Sequence, residues 1–408
     1  MKRRFFLNQS AALLSAAQLS TLSGAALLQG CGGGHVLDPK TNRTVQKNLV
    51  ASNASYSPAM IEAEFANAWG IAIRPAGAGG HFWVTAGGKS YEYVGDVGST
   101  ALFQDTLKDI ALPRGANDEG FATGTIFNPT TGFTVTNAHP NGAITAPAKF
   151  LFATDNGVIS AWTERNNASA VQGKDWPAAA EVVINDGSAG AAFFGLAIAA
   201  PVSQLIIADF GVQPRLRVFD ASFSEIAHAG FKNPFVTGLD GAAKPGDYVP
   251  FNVTSQLLKG HERLFVTYAK SQPSPSDATA FYAAEEDSAP GHGRLVEYSA
   301  NGSLIAIWDD KGMLNSPWGV ALAPANFGAL SNHLLVGNFG SGTVTAFDTS
   351  TKQAVAYINN SAGKPVVIGG LWAILFGNGA SLGDSNALYF AAGPEEESEG
   401  VFGSLRMV

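Results

Sequence analysis

From about residue 45 onward, apolar positions form short runs that alternate with polar ones at a period of two, and Gly, Asp or Asn interrupts the runs. That period puts successive side chains on opposite faces, so the runs predict strands. Val, Ile, Phe and Tyr fill them, as a pleated, half-buried surface favours. The pattern also recurs. One copy reads Trp69-Gly70-Ile71-Ala72-Ile73, then His81-Phe82-Trp83-Val84-Thr85, then Lys89-Ser90-Tyr91-Glu92-Tyr93-Val94. Another reads Trp318-Gly319-Val320-Ala321-Leu322-Ala323, then His333-Leu334-Leu335-Val336-Gly337, then Gly342-Thr343-Val344-Thr345-Ala346-Phe347-Asp348. Further opening runs lie at 123–128, 195–199, 249–253 and 371–376.

Taking Trp69, Gly124, Gly195, Phe251, Trp318 and Trp372 as anchors, the units are 54 to 71 residues apart, which is longer than the usual propeller repeat and implies inserted loops. Turn chemistry at Asp155-Asn156-Gly157, Asp209-Phe210-Gly211 and 338–342 joins the second and third runs. Six such units predict an all-β, six-bladed β-propeller, with small residues such as Ala72, Ala197 and Ala321 nearest the axis. The last unit shows three strands, whereas Lys47-Asn48-Leu49-Val50 is an orphan before the first. The expected closure therefore pairs this N-terminal strand into the last blade, leaving no open edge. Residues 129–150 hold an extra strand or insertion around Phe133-Thr134-Val135-Thr136. A two-domain β-sandwich is the competing arrangement.

Composition narrows the function classes. Charged residues are 14% of the chain, Gly numbers 47, and the formal charge is −8 with no basic run beyond the extreme N-terminus, so nucleic acid is not an expected partner. One cysteine excludes an internal disulfide framework and any Cys-rich metal site. That Cys31 follows a cationic, then moderately apolar and Ser-diluted leader, too polar for a permanent membrane span. Arg3-Arg4-Phe5-Phe6-Leu7 resembles the twin-arginine export motif, with Arg3, Arg4, Phe6 and Leu7 at its offsets. Leu28-Gln29-Gly30-Cys31 resembles a bacterial lipobox, whose cysteine is lipidated and becomes the new N-terminus.

The expected organisation is a signal peptide over 1–30, a flexible tether over 31–44 and a propeller over 45–408. The mature chain would be an exported, membrane-anchored lipoprotein, at the periplasmic or outer-membrane face. Gly32 in place of Asp favours the outer membrane. Loss of the leader's three cations with no anion takes the charge from −8 to −11. A monomer is expected, attached to the membrane through Cys31.

Residues 315–328, 335–344, 67–72, 208–210, 265–270 and 393–397 resemble a family of bacterial exported, β-propeller-like proteins. That resemblance implies a fold and no reaction. More distantly, the strand pattern is similar to the six-bladed NHL and gluconolactonase-like propellers, whose enzymes hold a catalytic divalent metal with Glu, Asn and Asp.

Propeller ligands bind where the loops at one end of the channel converge. The turns that reach this mouth carry Asn67, Asp155, Asn156, Asp209, Lys270, Asn315, Asn338, Glu395 and Glu396, with Glu397 and Glu399 beside them. Their oxygens suit Ca²⁺ or a polar ligand; the same residue types also cap tight turns with no ligand at all. The approaches to the inner strands at 66–68, 193–194, 248–250 and 369–371 mostly lack the carboxylate that the lactonase resemblance requires.

Other motifs fail. Gly87-Gly88-Lys89-Ser90 joins two strands and is a hairpin turn rather than a phosphate loop. The seven histidines form no close ligand pair, and most are expected at the surface or in turns. The segment from Ser271 to Gly293, with three prolines and an acidic run, reads as a loop over the mouth, either a mobile lid or a partner-binding segment. The expected function is a binding or scaffold module for an unidentified small molecule or protein, with no cofactor evident. The alternative is a metal-dependent hydrolase or lyase.

Overall fold

The computed structural model describes residues 42–115, 120–165, 176–239 and 241–408. The export and lipidation residues Arg3, Arg4, Phe6, Leu7 and Cys31 lie outside the described residues.

Antiparallel sheets follow one another along the chain as six blades. Blade one comprises Ile71–Ala72, Phe82–Ala86, Lys89–Tyr93 and Asp109–Ala111, and blade two Ala122–Phe127, Phe150–Thr154, Val158–Trp162 and Glu181–Asn185. Blade three has Phe193–Ala199, Gln204–Asp209 and Arg215–Phe219, its outer strand reduced to a bridge between Phe219 and Glu225. Blade four has Tyr248–Leu258, His261–Ser274, Gly293–Ser299 and Leu304–Trp308; blade five Pro317–Leu322, Leu334–Asn338, Val344–Asp348 and Gln353–Tyr357. Blade six has Leu371–Phe376, Ala387–Ala392 and Val401–Met407, and Arg43–Ala51 completes it. The innermost strand of each blade touches that of the next, and the sixth returns to the first. The ring is therefore closed, as the strand pattern predicts.

The closing strand starts at Arg43, two residues inside the expected tether, and runs antiparallel to the last strand from Thr44 opposite Met407 to Ala51 opposite Val401. The inner strands approach closely because their openings are glycines. A Cβ on Gly70 would sit 2.5 Å from the Thr123 carbonyl of blade two, and one on Gly319 would sit 2.6 Å from the Trp372 carbonyl of blade six. Between blades, large side chains fill the seams. Trp83 stacks on Phe150 with ring centres 4.3 Å apart and meets Trp162 at 4.7 Å. Each such fully buried ring contributes about 2 to 3 kcal/mol.

Two segments differ in form from the sequence reading. Residues 129–150 contain a separate hairpin, Thr134–Asn137 with Ile144–Pro147, pinned by the buried Phe133. The stretch after Lys270 is not an irregular loop. Its chain continues the second strand of blade four to Ser274 and returns as Asp277–Glu286.

Candidate functional site

Five of the six innermost strands open on an aromatic residue followed by a small or polar one: Trp69-Gly70, Phe194-Gly195, Phe251-Asn252, Trp318-Gly319 and Trp372-Ala373. The repeat brings all five rings to the axis at the end where the chain enters the inner strands, here called the upper end. Trp69 and Trp372 stack 3.6 Å apart, and Phe339 covers the other side of Trp372 at 3.9 Å. Phe194 stands edge-on to Trp69 at 5.1 Å, Phe251 lies 5.8 Å from Trp372, and Trp318 lies 6.1 Å from it. Phe281 and Ala284 of the blade-four hairpin pack onto this cluster, and Ala284 N donates to the Phe210 carbonyl at 3.0 Å. The expected mouth is thus a plug with a cap. The aromatic repeat, which the sequence displays as strand openers, becomes a seal through crowding at the axis.

Below the plug the channel widens and opens at the opposite, lower end. The cavity there is about 430 Å³, lined mainly by the inner strands, with Ile71, Ile126, Leu196 and Ile374 among its apolar walls and Trp318 contributing from the plug. Polar lining comes largely from blade four. Gln256 Nε2 donates to the Val320 carbonyl at 3.1 Å while its Oε1 accepts from Leu322 N at 3.3 Å, so this side chain stitches blade four to blade five. Asn252 Nδ2 donates to the Trp318 carbonyl at 2.8 Å. Glu262 accepts from Ser255 Oγ at 2.7 Å and from Ala200 N at 3.3 Å. Sequence reasoning passed over these residues because they sit inside strands, where polar positions read as solvent-facing.

The residues predicted for the mouth lie in upper-end turns or at the strand ends beside them, except Lys270, which sits inside the extended second strand of blade four, and most are engaged in holding those turns. Asn67 is buried with φ +47° and accepts from Trp372 Nε1 at 2.9 Å, bracing the plug. Asn338 accepts from Asn315 N at 3.0 Å and donates to Thr343 and Thr345 hydroxyls at 3.1 and 3.0 Å. Asp209 accepts from Ala192 N and Gly211 N at 3.0 and 2.9 Å. Burial raises its carboxyl above the ordinary range, against those bonds and the nearby Arg217. Asp155 accepts from Phe121 N at 2.8 Å, and Asn156 donates to the Arg114 carbonyl. Lys270 pairs with Asp287 at 3.3 Å. No hydrogen bond or ion pair joins Asp209, Lys270 and Glu395 among the described residues. These roles follow from backbone N–H groups at tight turns, which Asp and Asn oxygens satisfy.

Glu395 and Glu396 are exposed and Glu397 is buried, with φ of 52°, 53° and 65° in succession. They border a smaller upper-end cavity of about 280 Å³ with Ser288, Phe339, Gly340 and Gly370. The structure thus gathers Asn315, Asn338, Glu395 and Glu396 around blades five and six, and leaves Asp155 and Asn156 on blade two. Among the described residues no three His, Cys, Asp or Glu side chains converge to hold an ion, so the Ca²⁺ expectation finds no ready cage there. His81 is buried, with Nε2 3.0 Å from Asp105 Oδ2.

No protein-family model matches the chain. The uncharacterized protein R648 of Acanthamoeba polyphaga mimivirus is 28% identical over 393 residues, covering 94% of this chain and 87% of that protein. Uncharacterized protein L690 of the same virus is 26% identical over 365 residues, covering 89% and 86%. These relatives are viral, which corrects the bacterial ascription of the family resemblance. Among solved structures, a glucose dehydrogenase aligns at 10% identity with TM-score 0.43, covering 88% of this chain and 98% of that one. The β-propeller domain of Myceliophteria thermophila Cps50 (Swd1) aligns at 10% identity with TM-score 0.40, covering 84% of each. At these values neither carries an argument about activity; the propeller rests on the closed ring of six sheets.

Proposed function

We propose that this chain is a binding module that takes a small, mainly apolar ligand in the lower half of its channel, and that it is exported and held at a membrane through Cys31. The observation that carries the reading is the blind cavity of about 430 Å³, closed above by the aromatic plug and opening below. Such a volume lies within the usual range for small-molecule sites, and apolar walls with a few polar groups on one side suit an organic ligand held in one orientation.

Thr254 borders the cavity and is half-buried, so Thr254→Trp fills the space while leaving the blade seams intact. A panel of neutral monosaccharides, aromatic alcohols and medium-chain amides is screened by thermal shift against the wild type and this variant. At least one compound class should raise the wild-type Tm and lose that effect in Thr254→Trp, since a ligand stabilises by RT ln(1 + [L]/Kd). Equal shifts in both proteins, or none in either, would overturn the channel site. A strong Tm rise with Ca²⁺, Zn²⁺ or Mn²⁺ alone would favour a metal-dependent hydrolase instead. For the anchor, Cys31→Ser should move the protein from the membrane to the soluble fraction.

A further inference from the structure

We infer, resting on the channel site proposed above, that its ligand carries an organic ammonium group, which seats against Glu262 at the lower mouth while the apolar part points up toward the plug. Among the described residues that line the cavity, Glu262 is the only charged one; no Lys, Arg or His borders it. Glu262 lies near the start of the second strand of blade four, opposite Leu257 and one rung from the hairpin turn, which places it at the lower end.

Half of this carboxylate is engaged and half is not. Glu262 is half-buried, and the bonds from Ser255 Oγ at 2.7 Å and Ala200 N at 3.3 Å both end on Oε1. No hydrogen bond or ion pair engages Oε2 among the described residues. Neighbouring cations are committed elsewhere. Arg263 Nε pairs with Glu297 at 3.1 Å while its Nη1 donates to the backbone carbonyl of Glu262, and Lys259 Nζ donates to the Thr349 carbonyl at 3.4 Å. The bonds on Oε1 thus fix the side chain between blades three and four and leave Oε2 as a positioned anionic acceptor at the rim of an apolar cavity. Such an acceptor gains most from a partner that brings positive charge together with its donors.

Position along the strands sets the orientation of the ligand. Asn252 follows the plug residue Phe251 and bonds the Trp318 carbonyl, and Ser255 lies further down the same strand, about 10 Å away at the rise of a strand. Over that depth the other blades present Ile71, Leu196, Val320 and Ile374. A short alkyl chain therefore fills the apolar depth while its terminal nitrogen reaches the mouth. An ammonium offers donors and a full charge to Oε2, whereas a hydroxyl offers one donor and no charge. An anionic head would meet Glu262 with no cation on the lining to offset it. A bare divalent cation would need six to eight oxygens, and no set of three His, Cys, Asp or Glu side chains converges among the described residues.

The test is calorimetric titration of the full chain, at neutral pH and low ionic strength, with hexylamine, hexanol and sodium hexanoate, which share a tail and differ in the charge of the head. The amine should bind the wild type saturably and about tenfold or more tighter than the alcohol, with hexanoate the weakest. In Glu262→Gln that lead should disappear, so that amine and alcohol bind within about threefold of each other. Thr254→Trp should weaken all three. Hexanol or hexanoate binding as tightly as the amine, or an amine lead that persists in Glu262→Gln, would overturn the ammonium assignment, and loss of the same binding in Thr254→Trp would then leave the channel standing as a site. Absence of binding by all three, or binding indifferent to Thr254→Trp, would overturn the channel site and the assignment together. Each protein is compared with itself across the three heads, so a change in its overall stability does not imitate the result.

Discussion

The third strands of blades one and four each bury a glutamate, and the two seams treat it in opposite ways. Glu297 meets Arg263 Nε at 3.1 Å, Lys352 Nζ from blade five at 2.7 Å and Trp308 Nε1 at 3.1 Å. Glu92 lies opposite Trp83 in the sheet, and neither of its oxygens makes a well-formed hydrogen bond. Burial pushes its carboxyl well above the ordinary range; the Ser90 hydroxyl opposes this in part, and Asp109 and Asp105 add to it. The seam between blades four and five thus adds an ion cluster to an apolar core in which Trp308 meets Phe347 at 5.8 Å, whereas that between one and two holds its glutamate among stacked rings with no cation beside it among the described residues. A buried carboxyl with no counter-charge keeps its proton, whereas one with two cations holds its blades together as an ion.

The largest test of this contrast is Glu297→Gln. It leaves Arg263 and Lys352 without their anion in a partly dry seam, and loss of a buried pair member costs about 3 to 5 kcal/mol. The low end applies here, because those two side chains keep 24% and 32% of their surface exposed and can turn to water. Denaturant unfolding at neutral pH should report a loss of about 3 kcal/mol; a loss below about 1 kcal/mol would show that the ion pair does not hold the seam.

Glu92→Gln should go the other way as pH rises. The folded pKa of Glu92 lies above its unfolded value of 4.5, so the folded state retains a proton that the unfolded chain releases. Stability is then fullest below pH 4.5 and declines as pH rises toward the folded pKa, by about 1.4 kcal/mol per pH unit. Glutamine removes that decline. The stability difference between variant and wild type should therefore move in the variant's favour as pH rises from 4 to 8, whatever constant amount the buried amide itself costs. A difference that moves in the wild type's favour across this range would mean that Glu92 has a cationic partner in solution.

Sequence alone could not have told these glutamates apart. Tyr91-Glu92-Tyr93 and Val296-Glu297-Tyr298 both place Glu between apolar residues of a third strand, and the deciding cations come from other strands and another blade. The ring, by contrast, was legible, because the small residue after each strand-opening aromatic and the orphan strand near residue 47 are local signals of wedge-shaped units and their closure. The plug was present in those same positions, but Trp69, Trp318 and Trp372 read as strand openers until closure brought them to one axis. Pro273 made residues 271–293 look irregular, although an outlying hairpin tolerates proline where a strand edge needs no donor. Polar turn residues were found by position, and their burial, which decides whether they hold a ligand or a turn, was not encoded locally.

The seam where the ring closes combines the two modes, and gives the sharpest test. Tyr389 of blade six donates its hydroxyl to Asp96 Oδ2 at 2.7 Å, and Arg406 donates to the same oxygen at 2.7 Å and to Asp384 at 2.8 Å. The ring of Tyr389 meanwhile packs on Phe82 of blade one at 5.0 Å. Burial first, then the Asp96 carboxylate, raises the phenol far above its ordinary pKa of 10. Tyr389→Phe keeps the stacking and the Arg406–Asp96 pair while deleting the bond to the charged Asp96 acceptor and the one the hydroxyl accepts from Asp384 N at 3.0 Å, together worth about 2 to 3 kcal/mol. If the closing seam depends on charge as blades four and five do, that loss should appear in full at pH 7. If stacking dominates as it does between blades one and two, the variant should unfold within about 0.5 kcal/mol of the wild type. Ultraviolet titration supplies an independent reading, because Tyr389 should stay protonated at pH values that ionise the exposed tyrosines, and its ionisation alongside them would place its hydroxyl in water.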